Sequence, residues 1–256
     1  MRTLLTGAAG GVAGQLKDGL NDLPLRVADV RPVEEWYHAG GWDVMGAPAP
    51  EAEAGDLADR DFTASILADV DSVVHLAANP NPGAGWPDLR RPNADAVVTL
   101  LETARDLGVR RVVLASSIHA MGGYVLAGEP LVDPSWPVAP CCEYGATKAF
   151  AEAMGRYMAD SGETSVVCLR LGACLPTPSN RVELPSWLAP DDLRRLVRAA
   201  LTADVRYGTY FGVSANTPPG FDLTNARREL GYEPRADGAD YRDGLPDGEL
   251  TLGHQR

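Results

Sequence analysis

The sequence predicts an α/β fold, a Rossmann-type doubly wound parallel sheet with a small C-terminal substrate-covering region. Three observations predict it. Short, wholly apolar runs alternate with amphipathic helical stretches through the first two-thirds of the chain, the pattern of a parallel sheet covered on both faces. A glycine-rich turn, TGAAGGVAG from Thr6 to Gly14, joins the first such run to the first helix. An acidic residue, Asp29, closes the second run about twenty residues after that turn.

The elements follow in order. Residues 2–6 (RTLLT) predict a strand, 11–20 a helix and 25–29 a second strand. Residues 32 to 53, rich in Gly, Pro and Trp, predict a loop. A helix over 62–68 and a buried strand over 72–77 (SVVHLA) come next. Residues 94–107 predict a helix because Val97, Leu100, Leu101, Ala104 and Leu107 share one face, and Gly108 ends it. RVVLA at 111–115 is a strand, 143–159 a helix and SVVCLR at 165–170 a further strand.

After Arg170 the character changes. Residues 172–190, rich in Pro, Ser and Asn, predict an ordered loop region. The helix predicted over 191–201 begins with aspartates that favour its dipole. A strand over 207–213 and a short helix over 225–230 follow, and the last fifteen or so residues, polar and Gly-rich, are predicted to fray. The expected division is residues 1–172 for dinucleotide binding and 173–256 for a small substrate-binding region, with 207–213 able to return a strand to the sheet. There is no internal repeat and no low-complexity tract.

Composition narrows the function classes. The chain has 256 residues, 45% of them apolar, enough for one large core. Its formal net charge is −12, from 23 basic and 35 acidic residues. Nucleic acid and anionic membranes would repel such a surface, so neither is expected as a partner. No apolar run approaches the roughly 20 residues of a membrane span, and the N-terminal apolar stretch is too short for a signal peptide. The four cysteines, Cys141, Cys142, Cys168 and Cys174, match neither a zinc nor a disulfide framework. No metal is expected, Cys168 is expected in the core, and a reducing cytoplasm is the expected location.

The turn spaces its small residues as Gly7-x-x-Gly10-x-x-Ala13, and Ala9, Gly10, Gly11 and Val12 open the helix. Glycines there let the backbone approach a pyrophosphate, and the helix start offers N–H groups and positive potential. A glycine-rich loop alone is only a turn; its place between a strand and a helix makes it a dinucleotide site. Asp29, with Val30 and Arg31 beside it, suits the adenosine ribose hydroxyls. Its charge repels a 2′-phosphate, which favours NAD over NADP, although Arg31 softens that preference. Taken alone, Asp29 equally suits a turn cap. Asp56 and Leu57 suit the adenine amino group, and Leu76, Ala77 and Ala78 place small residues where a cofactor would cross the sheet edge.

Tyr144 and Lys148, in EYGATK, stand at i and i+4 and share a helix face. An ammonium group beside a phenol lowers its pKa and makes it a base nearer neutral pH, and an oxidised nicotinamide adds positive charge. A Tyr-x-x-x-Lys pair is common by chance. Here it follows a dinucleotide loop and Ser116-Ser117 at a strand end, in that chain order.

From residue 2 to about 235 the chain resembles the extended short-chain dehydrogenase/reductases, the NAD-dependent epimerase/dehydratase group. The resemblance rests on TGAAGGVAG, ADVRP, AGDLAD, VVHLAA, VVLASSIHAMG, EYGATK and CLRLG. Within that group it is most similar to the uronate dehydrogenases, through SSIHAMGGY, RLGACLPTPSN, SWLAPDDLRRLVRAALTA and FGVSANTPPGFDL. Those enzymes oxidise C1 of glucuronate or galacturonate to an aldarolactone. The resemblance implies that Ser117 positions the substrate hydroxyl, Tyr144 removes its proton, and Lys148 holds the nicotinamide ribose and tunes Tyr144. It further implies that Ser116 lies at the cofactor, His119 contacts substrate, and Asn93 supports the active-site helix or a water. It also implies a homo-oligomer, a dimer or larger, through the helices spanning about 94–107 and 143–159.

Three positions depart from that pattern. Ile118 stands where Asn is usual after the serine, Ala173 replaces a substrate-contacting serine, and Val182 takes the place of the carboxylate-gripping arginine. Arg181, one residue earlier, is expected to take over that grip. A different sugar, sugar acid or polar secondary alcohol therefore stays open as substrate. A sugar-nucleotide epimerase or dehydratase fits less well, because Ile118 and His119 stand where dehydratases carry an acidic pair, and the C-terminal part is short. A non-catalytic NAD-binding regulator would be expected to have lost Tyr144 or Lys148.

The remaining histidines and tryptophans have plainer readings. His75 reads as a satisfied core histidine, while His38 and His254 lie in polar loops without partners at ligand spacing. Trp36, Trp42 and Trp86 pack in loops or cover the adenosine or substrate site. Trp187 lines the pocket or seals the small region.

Overall fold

The computed structural model describes residues 2–36, 40–42 and 51–248. Strands β1 (Thr3–Thr6), β2 (Leu25–Asp29), β3 (Glu51–Ala54), β4 (Ser72–His75), β5 (Arg111–Ser117) and β6 (Ser165–Leu171) join a late strand, β9 (Tyr207–Gly212), in one parallel sheet. Two short strands, β7 (Ala173–Cys174) and β8 (Trp187–Leu188), pair apart from it. The order of the large sheet is β3-β2-β1-β4-β5-β6-β9. The chain thus runs outward one way from β1 and the other way from β4. The C-terminal ends of those two strands flank a topological switch point, where ligands bind in open α/β sheets.

Strand residues alternate between two helix layers because successive side chains point to opposite faces. Leu5, Val27, Val74, Val113 and Val167 pack with Leu16 and Leu20 of α1 (Gly11–Leu20) and with Leu193, Leu196 and Val197 of α7 (Pro190–Thr202). Their neighbours Leu4, Ala28, Val73, Val112 and Val166 pack with three helices on the opposite side. Those are α2 (Arg60–Leu67), through Ile66 and Leu67; α4 (Ala96–Asp106), through Leu100 and Leu101; and α6 (Glu143–Ser161), through Met158. The result is helix, sheet, helix, as the unbroken apolar strands predict. Cys168 is fully buried in the second layer.

The structure corrects several details. The predicted loop over 32–53 contains a 3-10 turn, Val33–Glu35, and the start of β3. The sequence EAEA hides a strand because it is a solvated edge: Glu51 pairs with Arg26 (2.9 Å) and Arg2 (3.3 Å) instead of packing. Asp59 caps α2, accepting from the backbone N–H groups of Asp61 and Phe62, so the helix begins two residues before the predicted start. The helix predicted from 94 is preceded by α3 (Trp86–Leu89) and a π-helical turn, Arg90–Asp95, and a short helix, α5 (Gly122–Leu126), lies between β5 and α6. Pro92, which has no N–H to donate, lies within that turn. The predicted loop over 172–190 holds β7, a 3-10 segment (Arg181–Ser186) and β8.

Gly238–Gly244 forms a 3-10 segment that reaches only the first residues of the tail expected to fray; residues 249–256, His254 among them, and His38 lie outside the described residues. Asp192, fully buried at the start of α7, ties this part down. Its carboxylate accepts from the Ser214 hydroxyl, the backbone N–H groups of Arg235 and Ala236, and the Arg195 guanidinium. Trp36 and Trp42 are buried against α1, and Trp187 is buried with its indole N–H on the Leu175 carbonyl. Trp86 is half exposed.

Candidate active site

The glycine turn sits at the switch point. Gly7 has φ +75°, a conformation natural to glycine, and a Cβ there would lie 2.6 Å from the Ala77 backbone nitrogen at the end of β4. The turn is thereby pressed against Leu76 and Ala77. Gly10 caps α1 with no side-chain hydrogen bond, and a Cβ on Gly11 would meet nothing within 4 Å. This leaves a helix start with unclaimed N–H groups and open space in front of it, which fits a pyrophosphate.

Asp29 is bound to this turn directly. One carboxylate oxygen accepts from the Ala9 backbone N–H at 2.9 Å and the other from Arg31 at 3.0 Å. Val30 beside it is 69% exposed, an apolar side chain facing outward where an adenine would need one. Asp56 accepts from the Ala58 backbone N–H (2.8 Å) and from Arg91 (2.6 Å), while Leu57 turns into the core. The residues present therefore fit a dinucleotide from its pyrophosphate to its adenosine end.

The ends of β5 and α6 build the chemical part. Ser117 closes β5, and its hydroxyl accepts from the His119 backbone N–H at 3.2 Å. Tyr144 and Lys148 stand one turn apart on α6, both nearly buried, with Lys148 Nζ 5.6 Å from the Tyr144 ring centre. Lys148 Nζ donates to the Ala115 carbonyl at 2.8 Å, which tethers α6 to β5. Burial pushes Lys148 down to about 8. Burial also pushes the Tyr144 phenol up to about 12, although a hydrogen bond with Ser117 pulls the other way. Desolvation thus dominates at the phenol, and the group that lowers it in the protein alone is Ser117, not the expected Lys148.

Behind these residues lies support that the sequence does not announce. Ser116 donates to Glu152 at 2.6 Å, and Arg170 grips the same carboxylate twice, at 2.9 and 2.8 Å. The Ser116 hydroxyl is therefore committed to α6 and β6. The π-helical turn aims Asn93 at α6: it donates to Thr147 (3.2 Å), and exchanges hydrogen bonds with the backbone of Asn79. His75 is buried, with Nδ1 2.8 Å from the Thr6 hydroxyl. Its Nε2 has no partner, so it is only half satisfied.

His119 follows Ser117 on a 3-10 turn, Ile118–Met121, and its ring meets that of Tyr144 edge-on at 5.6 Å. Ile118 is buried. Gly145 permits this approach, since a Cβ would lie 2.3 Å from the His119 carbonyl oxygen. Two residues that sequence reasoning left without a role also gather here. Cys141 and Cys142 place their sulfurs 3.4 and 3.5 Å from His119 Nδ1. The hydrogen bond from Cys141 is the main cause that lowers the Cys142 thiol to about 4, with His119 and the Gly145 N–H assisting; the same bond raises Cys141.

Ala173 is half-buried, paired with Trp187 across β7 and β8. Arg181 is exposed on its 3-10 segment, and donates to the Arg242 carbonyl (3.2 Å) and to Asp247 (2.8 Å). Val182 is half-buried.

Comparison with known proteins gives the arrangement relatives. Residues 3–181 match the sequence pattern of the NAD dependent epimerase/dehydratase family. The chain is 32% identical over 241 residues to a uronate dehydrogenase of Pseudomonas syringae pv. tomato, covering 91% of this chain and 82% of that one. It is 29% identical to an NAD-dependent glucose-6-phosphate dehydrogenase of Haloferax volcanii, covering 93% and 94%. Among solved structures, a mutant uronate dehydrogenase from Agrobacterium tumefaciens, complexed with NAD, superposes with a TM-score of 0.86 at 27% identity, covering 98% of this chain and 95% of that one.

Proposed function

Because the chain belongs to the NAD-dependent epimerase/dehydratase family, we propose that it is an NAD-dependent dehydrogenase that oxidises a sugar acid at C1 to its aldarolactone. The observation that carries this reading is Ser117, Tyr144 and Lys148 meeting at the ends of β5 and α6, beside the switch point of the sheet. NAD, when bound, supplies the hydride acceptor. Ser117 holds the C1 hydroxyl. Tyr144 takes the hydroxyl proton as the C1 hydride departs with its electron pair and the carbonyl forms. Lys148, tethered to Ala115, holds the nicotinamide ribose and favours the phenolate by its charge.

Gly7, Ala9, Gly10, Gly11 and Val12 take the pyrophosphate in this reading, and Asp29, Val30 and Arg31 the adenosine ribose. Asp56 and the Leu57 backbone lie at the adenine, with Leu76, Ala77, Ala78 and the Ser116 backbone along the cofactor. Ile118, His119 and Ala173 line the substrate side. Arg181 takes the substrate carboxylate in exchange for Asp247. That exchange is cheap, because an exposed ion pair is worth only ~0–1 kcal/mol. Residues 1–172 carry the cofactor and 173–256 cover the substrate. We read the protein as cytoplasmic and as a homo-oligomer built on the helices around 94–107 and 143–159. Among the described residues no helix is long and apolar enough to cross a membrane.

A second reading, an aldose other than a uronate, is favoured by two observations. Ala173 and Val182 offer no hydrogen bond or charge where a carboxylate would be held, and one relative carries the name of a glucose-6-phosphate dehydrogenase. The test is NAD reduction by the purified protein on glucuronate, galacturonate and the corresponding neutral aldoses, with NADP in parallel. Turnover of the uronates alone supports the first reading. Turnover of neutral aldoses alone replaces it with the second.

A further inference from the structure

We propose that His119, Cys141 and Cys142 form a three-ligand site for a thiophilic divalent cation of the zinc class. The geometry already suits one. A tetrahedral ion with Zn–S about 2.3 Å and Zn–N about 2.0–2.1 Å holds its sulfurs about 3.8 Å apart and each sulfur about 3.6 Å from the nitrogen. Here the two sulfurs are 3.9 Å apart and stand 3.4 and 3.5 Å from His119 Nδ1. All three donors therefore lie at the separations that coordination demands, within 4.8 Å of one another.

The surrounding backbone holds these donors in place. The Cys141 N–H donates to the His119 carbonyl (3.3 Å), the Ala139 N–H to Ala120 (3.0 Å) and the Gly123 N–H to Ala139 (2.7 Å). These bonds zip residues 139–141 to the turn that carries His119. Gly122 makes room for the Cys141 sulfur, which lies 2.4 Å from where a Cβ would be. Cys142 is fixed as the cap of α6, accepting from the Gly145 N–H at 3.3 Å.

Two thiolates and a neutral imidazole would neutralise a divalent charge, and sulfur with imidazole selects zinc-class ions over magnesium or calcium. Three protein ligands leave a fourth position for water or an outside ligand. The sequence conceals the site because the cysteines are adjacent and their histidine lies 22 residues earlier. Cation binding does not rest on the sugar-acid reading. Its consequence does: a cation on Nδ1 would immobilise the ring beside Tyr144 and slow turnover.

The test is titration of the intact, phosphine-reduced protein with Co(II), in the absence of substrate or NAD. The expected result is one equivalent bound, with thiolate-to-cobalt charge-transfer absorption and tetrahedral visible bands, displaced by Zn(II). Cys141→Ser and Cys142→Ser should each weaken binding at least as much as the ~10–100-fold seen when a metal site loses a supporting partner. Serine keeps an acceptor at the α6 cap, and circular dichroism checks that the variants are folded. Absence of the charge-transfer band in the wild-type protein would overturn the proposal without any variant. So would cobalt binding that both serine variants retain.

Discussion

Glu152 and Arg170 form a two-point ion pair, at 2.8 and 2.9 Å, with side chains only 5% and 3% exposed. The carboxylate belongs to the helix that carries Tyr144 and Lys148, and the guanidinium to β6. Ser116 joins them from β5. A buried pair of this kind adds little stability over apolar residues, but breaking it leaves a charge without a partner. Arg170→Met should therefore lower unfolding stability by about 3–5 kcal/mol, measured by urea denaturation. The double variant Glu152→Gln with Arg170→Met should recover part of that loss. Additive losses would refute the account.

Tyr144→Phe should reduce turnover by a factor of 10²–10⁴, roughly the contribution of a general base, while NAD binding measured by fluorescence changes little. Burial holds the phenol up to about 12, so the oxidation rate of the wild-type protein should climb with pH as the proton becomes easier to lose. Lys148→Met removes the nearby positive charge and should move that climb to still higher pH. A pH profile unchanged by Lys148→Met would separate the lysine from the tuning of the base.

Asp29→Ala should weaken NAD about tenfold or more, given that a hydrogen bond to a charged group contributes ~1.5–3 kcal/mol. NADP should lose less, because its phosphate no longer meets a carboxylate. Dissociation constants for both cofactors check this, and equal losses would mean that Asp29 serves only the turn it binds through Ala9.

Arg181→Ala should raise KM for a uronate about tenfold or more while leaving a neutral aldose unaffected, the mark of a lost charge-assisted contact. If both substrates responded alike, Arg181 would be placed with Asp247 and the tail instead of with the substrate.

His75 should make the fold acid-sensitive. Burial, reinforced by the Lys148 charge, holds its imidazole down to about 3, against an ordinary 6.5. Between those values the unfolded chain binds a proton that the folded chain refuses, so stability falls as pH drops below 6.5. The slope should approach about 1.4 kcal/mol per pH unit. Urea midpoints measured between pH 7 and pH 5 should show this slope, and His75→Leu should flatten it.

Much of this was legible in the residues. Runs such as SVVH and RVVLA signal central strands because both faces are buried, and Leu4 and Leu5 do divide between two layers. The turn after β1, Asp29, and the Tyr144–Lys148 pair announce themselves by spacing. Local pattern fails where the cause is not local. Glu51–Ala54 becomes a strand only because β2 offers an open edge. Glu152, Arg170 and Asp192 look like surface charges until distant segments bury them. His119 meets Cys141 and Cys142 only because a turn after β5 folds against the cap of α6.

The position of β9 bears on how the chain can be cut. The six strands β1–β6 end in sequence at Leu171, but β6 is covered on its outer side by Tyr207–Gly212. A fragment stopping at 172 would expose a seven-residue edge of mostly apolar side chains with every second backbone group unpaired. Such a fragment should aggregate by adding strands to itself, and supplying residues 173–248 in trans should rescue its solubility. The two halves are contiguous in sequence, yet neither is finished without the other.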